Sequence, residues 1–311
     1  MTQPWQHQAL SLRASHTVTD IARTVKKARS TVRDFFAKTD REKGKPKEKM
    51  ARVSLSRAKA GKQVERELER IVFVPDTHRP YHDKRAWELF MAAMAGFDPD
   101  TIVVMGDFAD FYTVSSHSKD PRRAFRLEEE LASVEEGLED LSCLNATRKL
   151  FIAGNHCDRL TRYLQDKAPE LFGVVDIPSL LKLKERGWEY TPYKHHTNIG
   201  KLFLTHDVGP SGRNAVFKAL ETFEHSVVTG HTHRMAYIVE GNAVMNAKVS
   251  AMFGHLLDVS KVDYLHQVRA RKDWALGFGI GYHDPATGFV YLVPVPIVEY
   301  SCVVEGKLYR A

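Results

Sequence analysis

Short apolar runs alternate with amphipathic stretches along most of the chain after residue 66. The runs are four or five residues long and rich in β-branched side chains: Ile71–Val74, Thr101–Met105, Lys149–Ala153, Lys201–Thr205 and Ser226–Thr229. Amphipathic stretches at helical spacing lie between them, for example at 84–95 and 127–144. This alternation predicts an α/β domain whose strands are buried between helices.

The pattern changes near the C-terminus, from Ala275 onward. The runs Gly277–Tyr282 and Phe289–Val293 flank the turn-rich sequence HDPATG, which predicts a β-hairpin. We expect this hairpin to complete a second sheet of the domain. A last strand is predicted at about Ile297–Val304.

Residues 5–39 have the pattern of a small helical unit. The segment Thr17–Asp20 resembles a capping box with Asp in place of Glu or Gln, and it predicts a helix N-terminus. An apolar stripe follows at helical spacing: Ile21, Ala22 and Val25. A turn at 26–28 would lead to a second helix over 29–36. The residues of that helix expected to face inward are Val32, Phe35 and Phe36.

The overall composition is that of a globular protein, with 43% hydrophobic and 27% charged residues among 311. Its net charge of +6 is unevenly distributed, because residues 1–65 carry 16 Lys and Arg against 6 Asp and Glu, a net of +10. The remainder carries 29 against 33, a net of −4. A basic block favours a polyanionic partner; the alternative is a solvated tail that keeps the protein soluble.

Three features favour a cytoplasmic protein. The first residues lack the apolar core of a signal peptide. No apolar run approaches the ~20 residues of a membrane span. The three cysteines, Cys143, Cys157 and Cys302, form neither a disulfide framework nor a CxxC pair.

Each of the five early strands is followed by side chains that can bind a metal or move a proton. They are Asp76 and His78, Asp107 and Asp110, Asn155 and His156, His206, and His231 and His233. In open α/β sheets, ligands bind beyond the carboxyl ends of the strands. Carboxylates with imidazoles suit manganese, iron or zinc, and the spacing of the D-x-H and H-x-H pairs lets each pair share one face. Two such pairs with Asp107 between them could hold two metal ions roughly 3.5–4 Å apart.

The motifs D-x-H, G-D-x-x-D, G-N-H, H and G-H-x-H, in this order, resemble the calcineurin-like metallophosphoesterase superfamily over residues 70–240. The resemblance implies a four-layer α/β/β/α sandwich with a dinuclear metal centre and a hydroxide between the metals as nucleophile. The implied ligands of the first metal are Asp76, His78 and His233. Those of the second are Asn155, His206 and His231, and Asp107 would bridge both. Mn²⁺ is the metal we expect, with Fe, Zn, Ni and Mg as alternatives.

The same resemblance assigns catalytic roles to His156 and Asp110. His156 would stabilise the transition state or protonate the leaving oxygen. Asp110 would orient His156 and favour its imidazolium form, since a nearby carboxylate stabilises that charge. Two positions depart from the family pattern. Cys157 stands where Asp or Glu is frequent, and we expect it to be inert. Phe111 stands where the protein Ser/Thr phosphatases have a phosphate-binding Arg, which argues against that branch.

Candidate substrate contacts follow the second and third motifs. Loops there overhang the metals in this family, and Arg can bind a phosphate with two hydrogen bonds. The candidates are His117, Arg122, Arg123 and Arg159. The alternative for the two neighbouring arginines is a capping role or simple exposure to solvent.

The segment IARTVKKARSTVRDFF resembles the helix-turn-helix of DNA-binding proteins over roughly 20 residues, with the second helix as the one that enters the major groove. It departs at the turn, where Lys26 replaces the usual Gly and Lys27 an apolar residue. The expected DNA contacts are Lys26, Lys27, Arg29, Ser30, Thr31 and Arg33. The alternative is a helical hairpin that packs on the main domain or on a partner.

These observations predict a helix-turn-helix-like DNA-binding domain at 1–40, a basic linker at 41–65 and a metallophosphoesterase domain at 66–311. The function we expect is a metal-dependent DNA nuclease acting on single strands or ends, and the arrangement also resembles phosphoesterases of phages and prophages. The first alternative is a phosphatase or nucleotide phosphodiesterase whose N-terminal unit docks a partner. The second is a DNA-binding regulator with an inactive catalytic domain. The presence of every expected metal ligand argues against this second alternative. We expect DNA as partner and no membrane, and the sequence predicts no oligomeric state.

Overall fold

A computed structural model describes residues 3–43, 67–117, 119, 126–242, 246–261 and 273–311. The chain divides into two compact units, Met1–Glu65 and Arg66–Ala311. Each unit is described by itself below. Among the described residues, no helix is long and apolar enough to cross a membrane.

The N-terminal unit is helical in its described residues. Its helices are α1 (Pro4–Leu12), α2 (Val18–Thr24) and α3 (Arg29–Lys43). The predicted start of α2 is confirmed, because Thr17 is the N-cap and its hydroxyl accepts a hydrogen bond from the backbone N–H of Asp20. The inward side chains of the three helices form one small core: Ala9, Ile21, Ala22, Val25, Val32 and Phe36. Phe35 packs at its edge, where its ring centroid lies 5.3 Å from that of Trp5.

The larger unit begins with alternating strands and helices. These are β1 (Glu69–Val74), α4 (Lys84–Phe97), β2 (Thr101–Val104), α5 (Leu127–Ser142), β3 (Arg148–Ile152), α6 (Asp158–Lys167), α7 (Ile177–Leu180) and β4 (Trp188–Thr191). The second half comprises β5 (Thr197–Ile199), β6 (Leu202–Leu204), α8 (Ala215–Phe223), β7 (Ser226–Thr229), β8 (Met235–Asn242), β9 (Asn246–Phe253), β10 (Gly277–Asp284), β11 (Phe289–Pro296), β12 (Ser301–Val304) and β13 (Lys307–Arg310). Short 3-10 turns lie at Tyr112–Val114, Pro169–Leu171 and Val259–Lys261.

The strands of the larger unit form two main sheets. The first has the order β11-β10-β1-β2-β3-β4, in which β1 to β4 are parallel and the β10–β11 hairpin is antiparallel to β1. The second has the order β5-β6-β7-β9-β8, with β6, β7 and β9 parallel. The five predicted strands and both predicted helices are present, with ends that differ by one or two residues.

Alternation of side chains along each strand builds the layers. In β1, Ile71 and Phe73 belong to the core between the two sheets, whereas Val72 and Val74 belong to the core under the helices α4, α5 and α6. On the far side of the second sheet, α8 packs through Ala215 and Val216. The predicted α/β/β/α sandwich is therefore confirmed.

Two predictions about the C-terminal part are wrong in detail. The hairpin lies in the first sheet rather than the second, because β10 pairs with β1, with Val72 opposite Ile280. Gly279 makes this placement possible, since a Cβ there would lie 2.4 Å from the ring of Phe253. The predicted last strand is a second hairpin formed by β12 and β13, in which Ser301 pairs with Arg310.

Candidate metal centre and active site

The carboxyl ends of β1, β2 and β3 meet those of β6 and β7 at one edge of the sandwich. The backbone N–H of His78 donates to the carbonyl of Asp107 at 2.8 Å, and that of His156 donates to Oδ1 of Asp107 at 2.8 Å. This approach requires a glycine before Asn155, because a Cβ on Gly154 would lie 2.1 Å from Oδ1 of Asp107. The strand ends therefore bring the predicted residues together in space.

Asp76, His78 and His233 form the first cluster of candidate metal ligands. Oδ2 of Asp76 lies 3.1 Å from Nε2 of His233 and 3.9 Å from Nε2 of His78. The two Nε2 atoms lie 3.0 Å apart. All three side chains are buried. Burial raises the pKa of Asp76, but hydrogen bonding to His233 and the nearby imidazoles outweigh it and hold that pKa at about 2.

The second cluster is formed by Asp107, Asn155, His206 and His231. Nε2 of His206 lies 3.1 Å from Oδ2 of Asp107 and 3.1 Å from Oδ1 of Asn155. Nδ1 of His231 lies 2.8 Å from the same Asn155 oxygen. Although burial lowers the pKa of His206, the carboxylate of Asp107 raises it to about 10. The site therefore favours a positive charge at this point.

The hydrogen-bond partners of the imidazoles show that both clusters fit divalent metal ions. Nδ1 of His206 faces the carbonyl of Met105 at 2.9 Å, and Nδ1 of His78 faces Oδ2 of Asp110 at 3.0 Å. A carbonyl and a carboxylate only accept, so both Nδ1 atoms carry a proton, and each Nε2, once a metal ion displaces its own proton, directs its lone pair into a cluster. Nitrogen and oxygen atoms this close together can hold a cation between them, and this donor set suits manganese, iron or zinc.

His156, Asp110 and Arg159 lie beside the first cluster. Nδ1 of His156 lies 3.1 Å from Oδ2 of Asp110, and its ring centroid lies 4.3 Å from that of His78. Arg159 donates from Nη1 to Oδ1 of Asp110 at 2.7 Å, and its Nη2 lies 3.2 Å from Nε2 of His156. Asp110 therefore links the imidazole of a candidate metal ligand to that of the candidate catalytic residue.

Asp110 favours the imidazolium form of His156, as expected, but it does not decide the direction of the pKa shift. Burial instead lowers the pKa of His156 below its usual value, and the attraction of Asp107 and Asp110 opposes this only in part. The neutral ring also matches the geometry, because Nε2 then accepts from the Arg159 guanidinium while Nδ1 donates to Asp110.

The remaining predicted positions are placed as follows. His117 is exposed, and its backbone N–H donates to the hydroxyl of Ser115. Arg122 and Arg123 lie outside the described residues. Phe111 is buried. Burial raises the pKa of the Cys157 thiol to about 12, which supports the prediction that Cys157 is inert. In the N-terminal unit the six predicted DNA contacts are all exposed: Lys26, Lys27, Arg29, Ser30, Thr31 and Arg33.

One departure from the helix-turn-helix pattern is Lys26, which stands where that pattern usually has a glycine. Lys26 has φ 51°, in the left-handed region that glycine adopts most easily. Whether this unit is a DNA-binding helix-turn-helix stays a prediction.

Sequence reasoning missed two residues of this region. His255 follows β9, and the backbone N–H of the next residue donates to the carbonyl of Asp76 at 2.9 Å. Trp274 has its ring centroid 4.1 Å from that of His233 and 5.7 Å from that of His255. A signal for the first was present, since Phe253-Gly254-His255 repeats the pattern of an apolar run, a glycine and a histidine.

A two-sheet sandwich with paired clusters of histidine, carboxylate and amide at its strand ends defines a metallophosphoesterase. Residues 69–235 match the sequence profile of the calcineurin-like phosphoesterases, and the chain belongs to this family. The resemblance stated from the motifs is thus confirmed. The match covers the strands that carry every candidate metal ligand named above.

Two phage proteins and several solved structures are also similar to this chain. Two phage proteins are similar over 78% of this chain and 99% of their own length: the Gene 54 proteins of Mycobacterium phage D29, at 25% identity, and of Mycobacterium phage L5, at 26%. Among solved structures, Vacuolar Protein Sorting 29 from Cryptosporidium parvum matches 78% of this chain and 94% of its own, at 15% identity and a TM-score of 0.42. YfcE, a phosphoesterase from E. coli, matches 72% and 98%, at 15% identity and a TM-score of 0.33.

Proposed function

We propose that this chain is a metal-dependent phosphodiesterase that hydrolyses the phosphodiester bonds of DNA. Membership of the calcineurin-like phosphoesterase family supports the hydrolysis of phosphoesters. The observation that carries the choice of DNA is the N-terminal unit, whose six predicted contact residues are exposed and whose basic charge contrasts with the acidic catalytic unit. A basic surface of this kind binds the phosphate backbone, and tethering it to the catalytic unit offsets the latter's net negative charge.

The two clusters would hold two divalent metal ions, with Mn²⁺ as the metal we favour. Asp76, His78 and His233 would bind one ion, and Asn155, His206 and His231 the other, with Asp107 as the bridging carboxylate. When bound, the ions polarise the phosphate oxygens and lower the pKa of a coordinated water. The carboxylates of Asp76 and Asp107 stay ionised although they are buried, because the surrounding imidazoles hold their pKa values low.

The remaining side chains act on the phosphate and on the leaving group. Asp110 accepts from Nδ1–H of His156, so Nε2 is the ring atom that would act on a substrate oxygen, and it must take up a proton before it can donate to that oxygen. The Arg159 guanidinium lies 3.2 Å from that Nε2, which places a positive charge next to the same phosphate. We therefore assign Arg159 to the substrate site, where it also donates to Asp110.

The test is cleavage of end-labelled single- and double-stranded DNA by the purified full chain with Mn²⁺, beside a chromogenic phosphomonoester and a chromogenic phosphodiester. His156→Ala is the inactive variant, and His225→Ala, an exposed histidine, is its matched control. We expect DNA cleavage that His156→Ala abolishes and His225→Ala retains. Turnover of the chromogenic esters without DNA cleavage would contradict the proposal and favour a phosphatase or nucleotide phosphodiesterase, with residues 1–65 as a docking unit.

A further inference from the structure

An aromatic ring lies against each of the two clusters of candidate metal ligands. The indole of Trp274 meets the His233 imidazole of the first cluster edge to face, at 4.1 Å between centroids and 84° between planes. The phenol ring of Tyr193 meets the His206 imidazole of the second cluster at 6.3 Å and 65°. Both Trp274 and Tyr193 remain partly exposed. A ligand that spans the two clusters would therefore find a ring near each of its ends.

The surroundings of Trp274 suit a nucleotide. Its neighbour Asp273 accepts two hydrogen bonds from Arg213, at 2.9 Å from Nε and 2.5 Å from Nη2, and Nε of Arg234 lies 3.9 Å from the same carboxylate. Arg213 is mostly exposed, so a guanidinium held by the residue that precedes Trp274 is open to solvent. A partly exposed indole offers a stacking surface for a base, and a guanidinium anchored at the preceding residue can contact the adjoining phosphate.

Tyr193 has a similar setting on the other cluster. Nζ of Lys194 lies 5.5 Å from the centroid of the Tyr193 ring. Lys194 is exposed, so its flexible side chain can move aside for a base and still reach a phosphate.

We propose that Trp274 and Tyr193 stack on the two bases that flank the scissile phosphate, so that the substrate is an unpaired nucleic acid strand. This inference rests on the proposed function and narrows its substrate. In a duplex each base face is covered by its neighbours in the stack, whereas in a single strand the bases can be separated and placed on protein rings. Stacking is tolerant of base identity, so the site selects strands with unpaired bases rather than a particular base sequence.

The alternative role for both rings is to pack against the imidazoles and fix their orientation. The two roles differ in what they require of the ligand. A ring that stacks on a base matters only when the ligand has a base, whereas a ring that orients a metal ligand matters for any phosphodiester. An abasic ligand therefore separates them.

The experiment measures binding of a thymidine dinucleotide and of its abasic counterpart by isothermal titration calorimetry. The full chain carries His156→Ala to prevent turnover and is loaded with Mn²⁺. A thymidine dinucleotide has a single bridging phosphate, so it gains little from a basic surface that binds the phosphate backbone, and its binding reports on the catalytic site. The added variants are Trp274→Ala, Trp274→Phe, Tyr193→Ala and Tyr193→Phe, and bound manganese is quantified for each.

We expect either alanine variant to weaken binding of the thymidine dinucleotide about tenfold or more, and the phenylalanine variants to retain most of it. Binding of the abasic dinucleotide should be the same in all of them, as should manganese content. Equal losses for both ligands, unchanged affinity for the thymidine dinucleotide, or failure of the parent protein to bind it would each overturn the proposal. Ring-dependent binding without DNA cleavage by the wild-type chain would instead contradict the proposed nuclease activity alone.

Discussion

Asp110 Oδ2 lies 3.1 Å from Nδ1 of His156, although the two residues belong to different strand ends, 46 positions apart. The same oxygen lies 3.0 Å from Nδ1 of His78. One buried carboxylate thus fixes the tautomer of a candidate metal ligand and of the candidate catalytic imidazole. Metal binding and the catalytic group are coupled through this residue.

Replacing Asp110 by Asn should lower kcat for a chromogenic phosphodiester about 10–100-fold. The amide has one acceptor oxygen and no charge, so it cannot accept from two imidazoles and hold Arg159 as the carboxylate does. Steady-state kinetics with saturating Mn²⁺ measure the change. Asp158→Asn is the control, because Asp158 pairs only at the surface with Arg162. An Asp110→Asn enzyme as active as wild type would show that the carboxylate positions neither ring.

Removing divalent metal should abolish hydrolysis and lower the thermal stability of the catalytic unit. Metal that binds only the folded state stabilises it by about 2.7 kcal/mol at 100 times Kd, or roughly 5–10 °C in Tm for a unit of this size. Differential scanning fluorimetry with EDTA and with added Mn²⁺ measures the shift.

The matched variants for this experiment are Asp107→Ala, which removes a ligand of the second cluster, and Asp166→Ala, an exposed carboxylate on α6. Only Asp107→Ala should lose the manganese-dependent rise in Tm. Full activity in EDTA, or an equal rise in both variants, would exclude a metal centre in these clusters.

The local parts of the fold were predictable because they depend on short-range patterns. The valines and isoleucines of β1, β2 and β3 alternate between two cores, so both faces of these strands are apolar and their ends stand out in the sequence. The polar residues at those ends were recognisable as a set because no packing role accounts for Asp76, His78 and His156 in buried positions. Strand ends and ligand types could therefore be derived together.

Long-range pairing was not predictable in the same way. Nothing in the sequence of β10 distinguishes pairing with β1, some 200 residues earlier, from pairing within the second sheet. The choice depends on the fit of Gly279 against Phe253 across the two sheets, which only the assembled structure provides. Trp274 was missed for a similar reason, because its relation to His233 comes from tertiary contact and not from a motif. The sign of the His156 pKa shift likewise depends on burial, which residue types alone do not give.

Glu130 should make a contribution to the stability of the catalytic unit that decreases as pH rises from about 5 to 8. Burial raises the pKa of Glu130 to about 7, from 4.5 in the unfolded chain. The folded state therefore binds this proton more tightly, and the stabilisation is fully present below pH 4.5 and is lost as pH rises through about 7. The loss amounts to at most about 3 kcal/mol. Glu130→Gln should remove this contribution to the pH dependence.

Urea unfolding of wild type and Glu130→Gln at pH 5 and at pH 8, in EDTA, tests this point. Relative to wild type, Glu130→Gln should be more stable at pH 8 than at pH 5. The neutral amide keeps its hydrogen bond with the backbone N–H of Thr113 at both pH values. Glu139→Gln, at an exposed position of the same helix, controls for the loss of one carboxylate. A difference between Glu130→Gln and wild type that is the same at pH 5 and pH 8 would contradict the assigned shift.

Charge reversal in the N-terminal unit should separate recognition of DNA from hydrolysis. In the variant Arg29→Glu with Arg33→Glu, both exposed positions on α3 would repel phosphate, so cleavage of long DNA at moderate salt should fall about tenfold or more. Hydrolysis of a chromogenic phosphodiester should not change, because that substrate reaches the metal centre without the N-terminal unit.

The variant Arg23→Glu with Lys38→Glu carries the same net charge at exposed positions outside the predicted contacts, and it should retain more DNA cleavage. Equal losses in the two double variants would mean that only net charge matters and would count against a helix-turn-helix contact. Equal losses on both substrates would show that the unit supports the catalytic fold rather than tethering DNA.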